Sequence, residues 1–329
     1  MADSEAELIE RYFAHLGPAR TDVVLGIGDD AALLQPPAGS QLVLTTDALV
    51  AGVHFLPQAP PRSLGHRALA VNLSDVAAMG ARPMWALLSL NLPQASPEWL
   101  AEFAAGFGAL ASKYQVALVG GNLSAGPLSI TVTLAGAVAA GQALRRTGAR
   151  PGDELYVSGT PGDAAEGRVA VSEADSEASR WLRERFEYPN PRVELGLALV
   201  GVASACIDVS DGLYADAQQL LRASACVARV QIEQLPVSAA LRQRRGAQAW
   251  RAVLGGGEDY ELCFTAAPGQ AAAVAAGARS AGVTVTRIGS LAAGAGPGQP
   301  ATALTLLDGN TVTQFSALGY DHFRSQRAP

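Results

Sequence analysis

Between residues 23 and 138 the chain alternates short apolar runs with amphipathic stretches, and no other feature constrains its fold as tightly. Residues 23–27 and 41–46 read as strands, divided by the turn signal Pro36-Pro37-Ala38-Gly39. A helical pattern covers 62–79, and 84–92 is apolar and strand-like. Ser96-Pro97-Glu98 supplies an N-cap, a first-position proline and a first-turn acid. The helix it opens carries Leu100, Phe103, Phe107 and Leu110 at helical spacing, and strands at 115–119 and 128–138 follow. Ahead of all these, Ser4 and Glu7 form a capping box before Leu8, Ile9, Tyr12, Phe13 and Leu16, with Gly17 as the stop. Such alternation predicts an α/β (α+β) unit.

The stretch Gly148-Ala149-Arg150-Pro151-Gly152 reads as a hinge, after which strands recur at 154–158, 227–232, 260–265 and 283–288. Residues 266–281 suit a short surface helix, and 292–300 a loop rich in Gly, Ala and Pro. With 329 residues there is chain enough for two cores. The expected domains are 1–143 and 144–329. Hydrophobic residues at 49% and charged residues at 16% describe a globular chain. A net charge of −6 without a basic run argues against a nucleic-acid partner. Cys206, Cys226 and Cys263 have no zinc or disulfide spacing. The apolar stretches 130–140 and 195–207 fall short of the ~20 residues of a membrane span. Residues 1–14 hold four carboxylates and no apolar run, unlike a signal peptide. The expectation is a cytoplasmic protein with no membrane partner.

Charge placement is more informative than charge content. Lys113 is the only lysine and lies in Ala111-Ser112-Lys113-Tyr114, so a Walker-A phosphate loop is excluded. Between residues 23 and 152 there are six acids. Glu98 and Glu102 belong to a helix start, where the dipole favours them. Asp29, Asp30, Asp47 and Asp75 sit at or within apolar elements, where a carboxylate is costly unless paired or bound to a cation. Cations near them in sequence are few, Arg67 among them, and none is a lysine. Asp208 and Asp211 lie three apart at a strand-to-helix turn, and Glu258-Asp259 adds an acidic pair. Oxygen donors of this kind point to a hard divalent cation, which commonly bridges carboxylates to phosphate. Asp29 and Asp259 equally suit turn or capping roles. Gly120-Gly121, closing a strand, offers backbone amides to phosphate but also suits a tight strand end. Arg145 and Arg146 offer a planar fork to an anion. His54 follows a Thr-Thr-Asp strand end and suits either a ligand or a structural role.

Five runs together carry a resemblance: Gly26-Ile27-Gly28-Asp29-Asp30-Ala31-Ala32-Leu33, Thr45-Thr46-Asp47-Ala48-Leu49-Val50-Ala51-Gly52-Val53-His54-Phe55, Ala70-Val71-Asn72-Leu73-Ser74-Asp75-Val76-Ala77-Ala78-Met79-Gly80-Ala81, Ile207-Asp208-Val209-Ser210-Asp211-Gly212-Leu213 and Gly256-Gly257-Glu258-Asp259-Tyr260-Glu261-Leu262. With the closing Gly319-Tyr320-Asp321-His322-Phe323, the chain resembles the thiamine-monophosphate kinase family, within the superfamily of aminoimidazole-ribonucleotide synthetase and selenophosphate synthetase.

The resemblance implies a two-domain PurM-like fold whose N-terminal domain dimerises through its sheet into a barrel. It implies ATP as co-substrate, thiamine monophosphate as acceptor and several Mg²⁺ ions. By the same likeness Asp30, Thr45, Thr46, Asp47, Asp75, Asn122, Asp208 and Asp211 hold metal. Gly121, Asn122, Arg146 and Ser210 contact ATP, while His54, Glu258 and Tyr320 contact thiamine monophosphate. No general base is implied, because the acceptor phosphate is already an anion. The family's usual Gly-Gly-Asp-Thr is here Gly120-Gly121-Asn122-Leu123, which keeps an oxygen at 122 and loses its charge. Two rival readings stand beside this one: another ATP-using enzyme of the superfamily, and an inactive nucleotide- or metal-binding homologue.

Overall fold

The computed structural model describes residues 4–294 and 303–316, which divide into two compact units. The first comprises Met1–Val76 and Ala81–Gly141. Helix α1 (Glu5–Tyr12) opens on the expected capping box, with the Ser4 amide donating to the Glu7 carboxylate at 2.7 Å. Strands β1 (Val23–Leu25) and β2 (Leu33–Leu34) pair as a small antiparallel ribbon. Between and beyond them run β3 (Ser40–Val50), helix α2 (Pro61–Ala78), β4 (Arg82–Leu92), helix α3 (Pro97–Lys113), β5 (Ala117–Ala125) and β6 (Ser129–Ala139). The main sheet has the order β3-β6-β4-β5. Its β4–β5 pair is parallel, and α3 provides the crossover that a parallel pair requires. Ser96 caps α3 by accepting the Trp99 amide, and the helix buries Leu100, Phe103, Phe107 and Leu110. From 68 to 78 every residue of α2 is buried except Asp75, as in a helix covered on all sides.

Two elements outrun the sequence reading. Strand β3 continues to Val50, so Asp47 lies inside a strand, opposite Val132 of β6. Strand β5 continues through Gly120-Gly121 to Ala125 and does not end there. Gly121 has φ +152°, and a Cβ on it would lie 1.8 Å from the Leu88 carbonyl oxygen of β4. Glycine lets the two backbones stay paired at this close approach.

The second unit comprises Ala77–Gly80 and the chain from Gln142. The change of unit falls at Gly141–Gln142, so the 148–152 stretch read as a hinge lies inside the second unit. Ala149 there is buried in that unit's core. The elements are β7 (Glu154–Ser158), α4 (Asp163–Ala170), α5 (Glu177–Glu187), α6 (Val193–Ala198), β8 (Ala205–Val209), α7 (Leu213–Ala223), β9 (Cys226–Gln231), α8 (Ala239–Arg245), α9 (Ala249–Gly255), β10 (Glu261–Ala266), α10 (Ala271–Ser280), β11 (Val285–Ala293), β12 (Leu304–Asp308) and β13 (Thr311–Thr313). Seven strands form one sheet, β13-β12-β9-β11-β7-β10-β8, in which β12 and β9 are parallel and the other pairs antiparallel. Leu155, Val157, Ile207, Leu220, Leu221, Val230 and Cys263 are among the residues of its core. All three cysteines are buried and reduced. The loop expected at 292–300 begins later, because Ala292 and Ala293 belong to β11, and 295–300 lie outside the described residues. No helix among the described residues is long and apolar enough to cross a membrane.

Candidate active site

In the first unit, β3 and α2 meet at a hydroxyl–carboxylate pair. Thr45 Oγ1 donates to Asp75 Oδ2 at 2.5 Å, through the one opening in the buried length of α2. Strand alternation places Asp47 on the same face as Thr45. Thr46 faces the other way: its hydroxyl donates to the Val132 carbonyl at 3.2 Å and meets Thr133 Oγ1 at 2.9 Å. The opposite face of the sheet holds a cavity of about 870 Å³ lined by Asp30, Gly121, Asn122, Thr133 and, among apolar groups, Leu44 and Leu87. The expected residues of this unit thus fall into two groups. Thr45, Asp47 and Asp75 share the α2 side, while Asp30, Gly121 and Asn122 share the cavity, with Thr46 bonded to a residue of its wall. Asp29 plays a turn role, its carboxylate accepting the Asp30 amide at 2.8 Å. His54 Nδ1 accepts the Val50 amide at 3.0 Å. That bond sets the neutral tautomer with its proton on Nε2, so the ring offers a donor there.

In the second unit, the end of β8 gathers the expected residues. The Ser210 carbonyl accepts the Glu258 amide at 2.8 Å. The Ser210 and Asp211 amides donate to Asp216 Oδ2 at 3.1 and 3.0 Å. Asp216 Oδ1 accepts Gln219 Nε2 at 3.2 Å, and Gln219 Oε1 accepts Arg146 Nη1 at 2.9 Å. Asp208 lies one strand residue before Val209, paired across to Leu262 of β10. Arg146, Ser210, Asp211 and Glu258 therefore belong to one hydrogen-bonded neighbourhood. Burial first, and the Asp211 carboxylate second, push the Asp216 carboxyl up to about 7.

Glu258 is held in a left-handed conformation, φ +70°, and Tyr260 in another, φ +53°. A non-glycine backbone of this kind persists where its surroundings impose it. Three neighbours do so. The Tyr260 hydroxyl donates to Glu258 Oε2 at 2.8 Å. Asp259, 1% exposed, accepts the Gly162 and Ala164 amides at 2.7 and 3.1 Å and so caps the start of α4. Burial raises its carboxyl well above the ordinary range, against those two amides. Glu261, fully buried, binds Arg192 and Arg185 and accepts the Ser158 hydroxyl at 2.5 Å. Burial alone would raise its carboxyl; the two guanidinium groups and the hydroxyl outweigh that and hold it below the usual 4.5.

Sequence reasoning missed Asp216, Gln219 and Tyr260 as supports of the site. The only signal was positional: Asp216 stands in a helix first turn, where acids are common for dipole reasons alone. Tyr320 lies outside the described residues. Among the described residues no three His, Cys, Asp or Glu side chains gather into a metal-sized group.

Comparison with known proteins first defines a class. The AIR synthase related N-terminal domain model matches residues 28–138, and the AIR synthase related C-terminal domain model matches 150–298. A finer likeness runs the whole length. The chain is 46% identical to thiamine-monophosphate kinase of Salmonella typhimurium over 98% of this chain and 99% of that protein. Thiamine-monophosphate kinase of Stenotrophomonas maltophilia is 46% identical in its crystal structure, with a TM-score of 0.82, covering 87% of this chain and 92% of that one. AaThiL complexed with AMPPCP and TMP is 32% identical, with a TM-score of 0.73, covering 87% and 90%. The chain belongs to the thiamine-monophosphate kinase family, and it is an enzyme of the two-domain PurM-like fold.

Proposed function

We propose that this enzyme transfers the γ-phosphoryl group of ATP to thiamine monophosphate, yielding ADP and thiamine diphosphate. The observation that carries the reading is the full-length likeness to thiamine-monophosphate kinases, one solved relative of which holds AMPPCP and TMP together. A phosphate oxygen of thiamine monophosphate forms the new bond to the γ-phosphorus, and the bridging oxygen leaves with ADP. The nucleophile is an anion, so no side chain has to remove a proton. The barrier lies in aligning two polyanions, and positioning with electrostatic stabilisation lowers it.

Arg146, Gly121, Asn122 and Ser210 hold the nucleotide in this reading, and His54, Glu258 and Tyr320 hold the acceptor. Glu258 brings a carboxylate toward the cationic thiazolium of the substrate, and His54 brings an Nε2–H donor. Tyr320 brings an aromatic face. The donor set fits Mg²⁺. Asp30, Thr45, Thr46, Asp47, Asp75, Asn122, Asp208 and Asp211 offer oxygen only. Mg²⁺ commonly takes one or two carboxylates and completes its shell with phosphate oxygens and water. A preformed group of three carboxylates is therefore not required, and the Thr45–Asp75 pair is a suitable anchor. When bound, Mg²⁺ would supply positive charge that offsets the charge of the phosphate groups. In this reading 1–143 binds nucleotide and metal and dimerises, and 144–329 completes the substrate site, adding Arg146, Ser210, Asp208 and Asp211, in a cytoplasmic enzyme.

A homodimer is supported by the outer face of the first unit's sheet, where Leu42, Leu44 and Leu87 are 45%, 68% and 43% exposed beside the apolar cavity. An exposed apolar strand face of this kind calls for a cover, and a second copy of the same face, closing to a barrel, supplies one. Leu44→Glu should then give a monomer by analytical ultracentrifugation. The reaction is tested by coupled ADP release with and without thiamine monophosphate. Release that requires the acceptor supports the reading; equal release without it refutes it.

A further inference from the structure

We propose that Asp216 and Gln219 are positioning residues that join Arg146 to the Ser210–Asp211 turn as one preorganised nucleotide-binding element. The inference rests on the reading of Arg146 and Ser210 as nucleotide contacts. Asp216 and Gln219 stand three apart on α7 and so share a face of that helix. Asp216 is buried, and its Oδ2 takes two consecutive amides, those of Ser210 and Asp211. Its Oδ1 takes Gln219 Nε2. The far side of the same amide, Oε1, takes Arg146 Nη1.

The polarity of this chain is fixed at both ends. A carboxylate accepts and a guanidinium only donates, so the intervening amide has one satisfactory orientation. Arg146 is exposed, and a tethered surface guanidinium adds little to fold stability. The tether instead restricts a long side chain before ligand arrives, which lessens the ordering cost of closing on a phosphate. The guanidinium keeps its remaining donors for an anion. The turn amides and the arginine thereby report to one carboxylate.

Two variants separate this role from simple packing. Gln219→Leu removes the amide and keeps the bulk. Asp216→Asn still presents an oxygen to the two turn amides, but its own amide then faces Gln219. Gln219 must turn over to meet it, and its NH₂ then opposes the Arg146 guanidinium. At pH 8, each variant should weaken binding of AMPPCP by about fivefold and raise KM for ATP to match. KM for thiamine monophosphate should stay within twofold, and Tm should be unchanged in Gln219→Leu. The double variant should be no worse than either single, because both cut one chain. Arg146→Ala is the control. If Arg146→Ala weakens AMPPCP binding while Gln219→Leu leaves it within twofold, the positioning role is refuted and the nucleotide role of Arg146 stands. If Arg146→Ala also leaves binding within twofold, that nucleotide role has failed and the inference falls with it.

Discussion

The amide of Glu258 donates a 2.8 Å hydrogen bond to the carbonyl of Ser210. This bond ties the loop before β10 to the turn after β8, and with them the residue read as an acceptor ligand to one read as a nucleotide ligand. The closeness depends on the preceding residue: a Cβ on Gly257 would lie 2.6 Å from the same Ser210 oxygen. A side chain at 257 would push the two loops apart.

Tyr260 holds Glu258 through its hydroxyl, and both residues occupy left-handed backbone. Tyr260→Phe removes one hydrogen bond and keeps the ring. Steady-state kinetics should show KM for thiamine monophosphate raised about fivefold and KM for ATP unchanged. A rise in both constants would place Tyr260 outside the acceptor role.

Asp75 is the one opening in the buried run of α2 and receives the Thr45 hydroxyl. Asp75→Asn keeps an oxygen for Thr45 and removes the charge. It should lower kcat by ~10²-fold or more, the usual size for a lost electrostatic contact to the transition state. Thermal stability in metal-free buffer should hold or rise. A folded variant with full turnover would show that the carboxylate is structural.

Asn122 lies in the cavity wall with Asp30, at the position where the resemblance implies a family Asp. A neutral amide oxygen is a weaker ligand for a hard cation than a carboxylate. Asn122→Asp should lower the Mg²⁺ concentration for half-maximal rate by ~3–10-fold, the ratio that about 1 kcal/mol gives. A Mg²⁺ titration at saturating ATP measures it. Superimposable curves would put position 122 outside the metal shell.

Glu261 supports the Glu258–Tyr260 loop from a fully buried site between Arg185 and Arg192. Its carboxyl titrates below the usual 4.5, so its charged form stabilises the fold above that value. The contribution is lost as pH falls through the lowered folded value. Glu261→Gln should cost about 3–5 kcal/mol at pH 7, because Arg185 and Arg192, 14% and 11% exposed, lose their buried charged partner. In urea unfolding, the gap between native protein and variant should narrow as pH drops below 4.5. A gap that stays constant or widens would contradict the assignment.

Much of this was legible in the residues, for identifiable reasons. Caps are local, so Ser4, Ser96 and their partners announced α1 and α3 correctly. Asp75 stood out because an acid in an apolar helix demands a reason. What escaped depended on contacts between segments distant in sequence. Glycine at 121 answers to the Leu88 carbonyl of a neighbouring strand, and so hid the continuation of β5. Thr46 looked equivalent to Thr45 until the alternation of β3 put its hydroxyl on the other face. The Arg146–Gln219–Asp216 chain joins residues 73 positions apart at its longest link, and no local pattern encodes it.

The reaction is a direct transfer between two phosphate compounds, and an isotope label follows it. With ATP labelled at the γ-phosphate and thiamine monophosphate in excess, the label should appear in the terminal phosphate of thiamine diphosphate, one for each ADP formed. Label recovered as free orthophosphate, or ADP formed with no labelled thiamine diphosphate, would contradict the account.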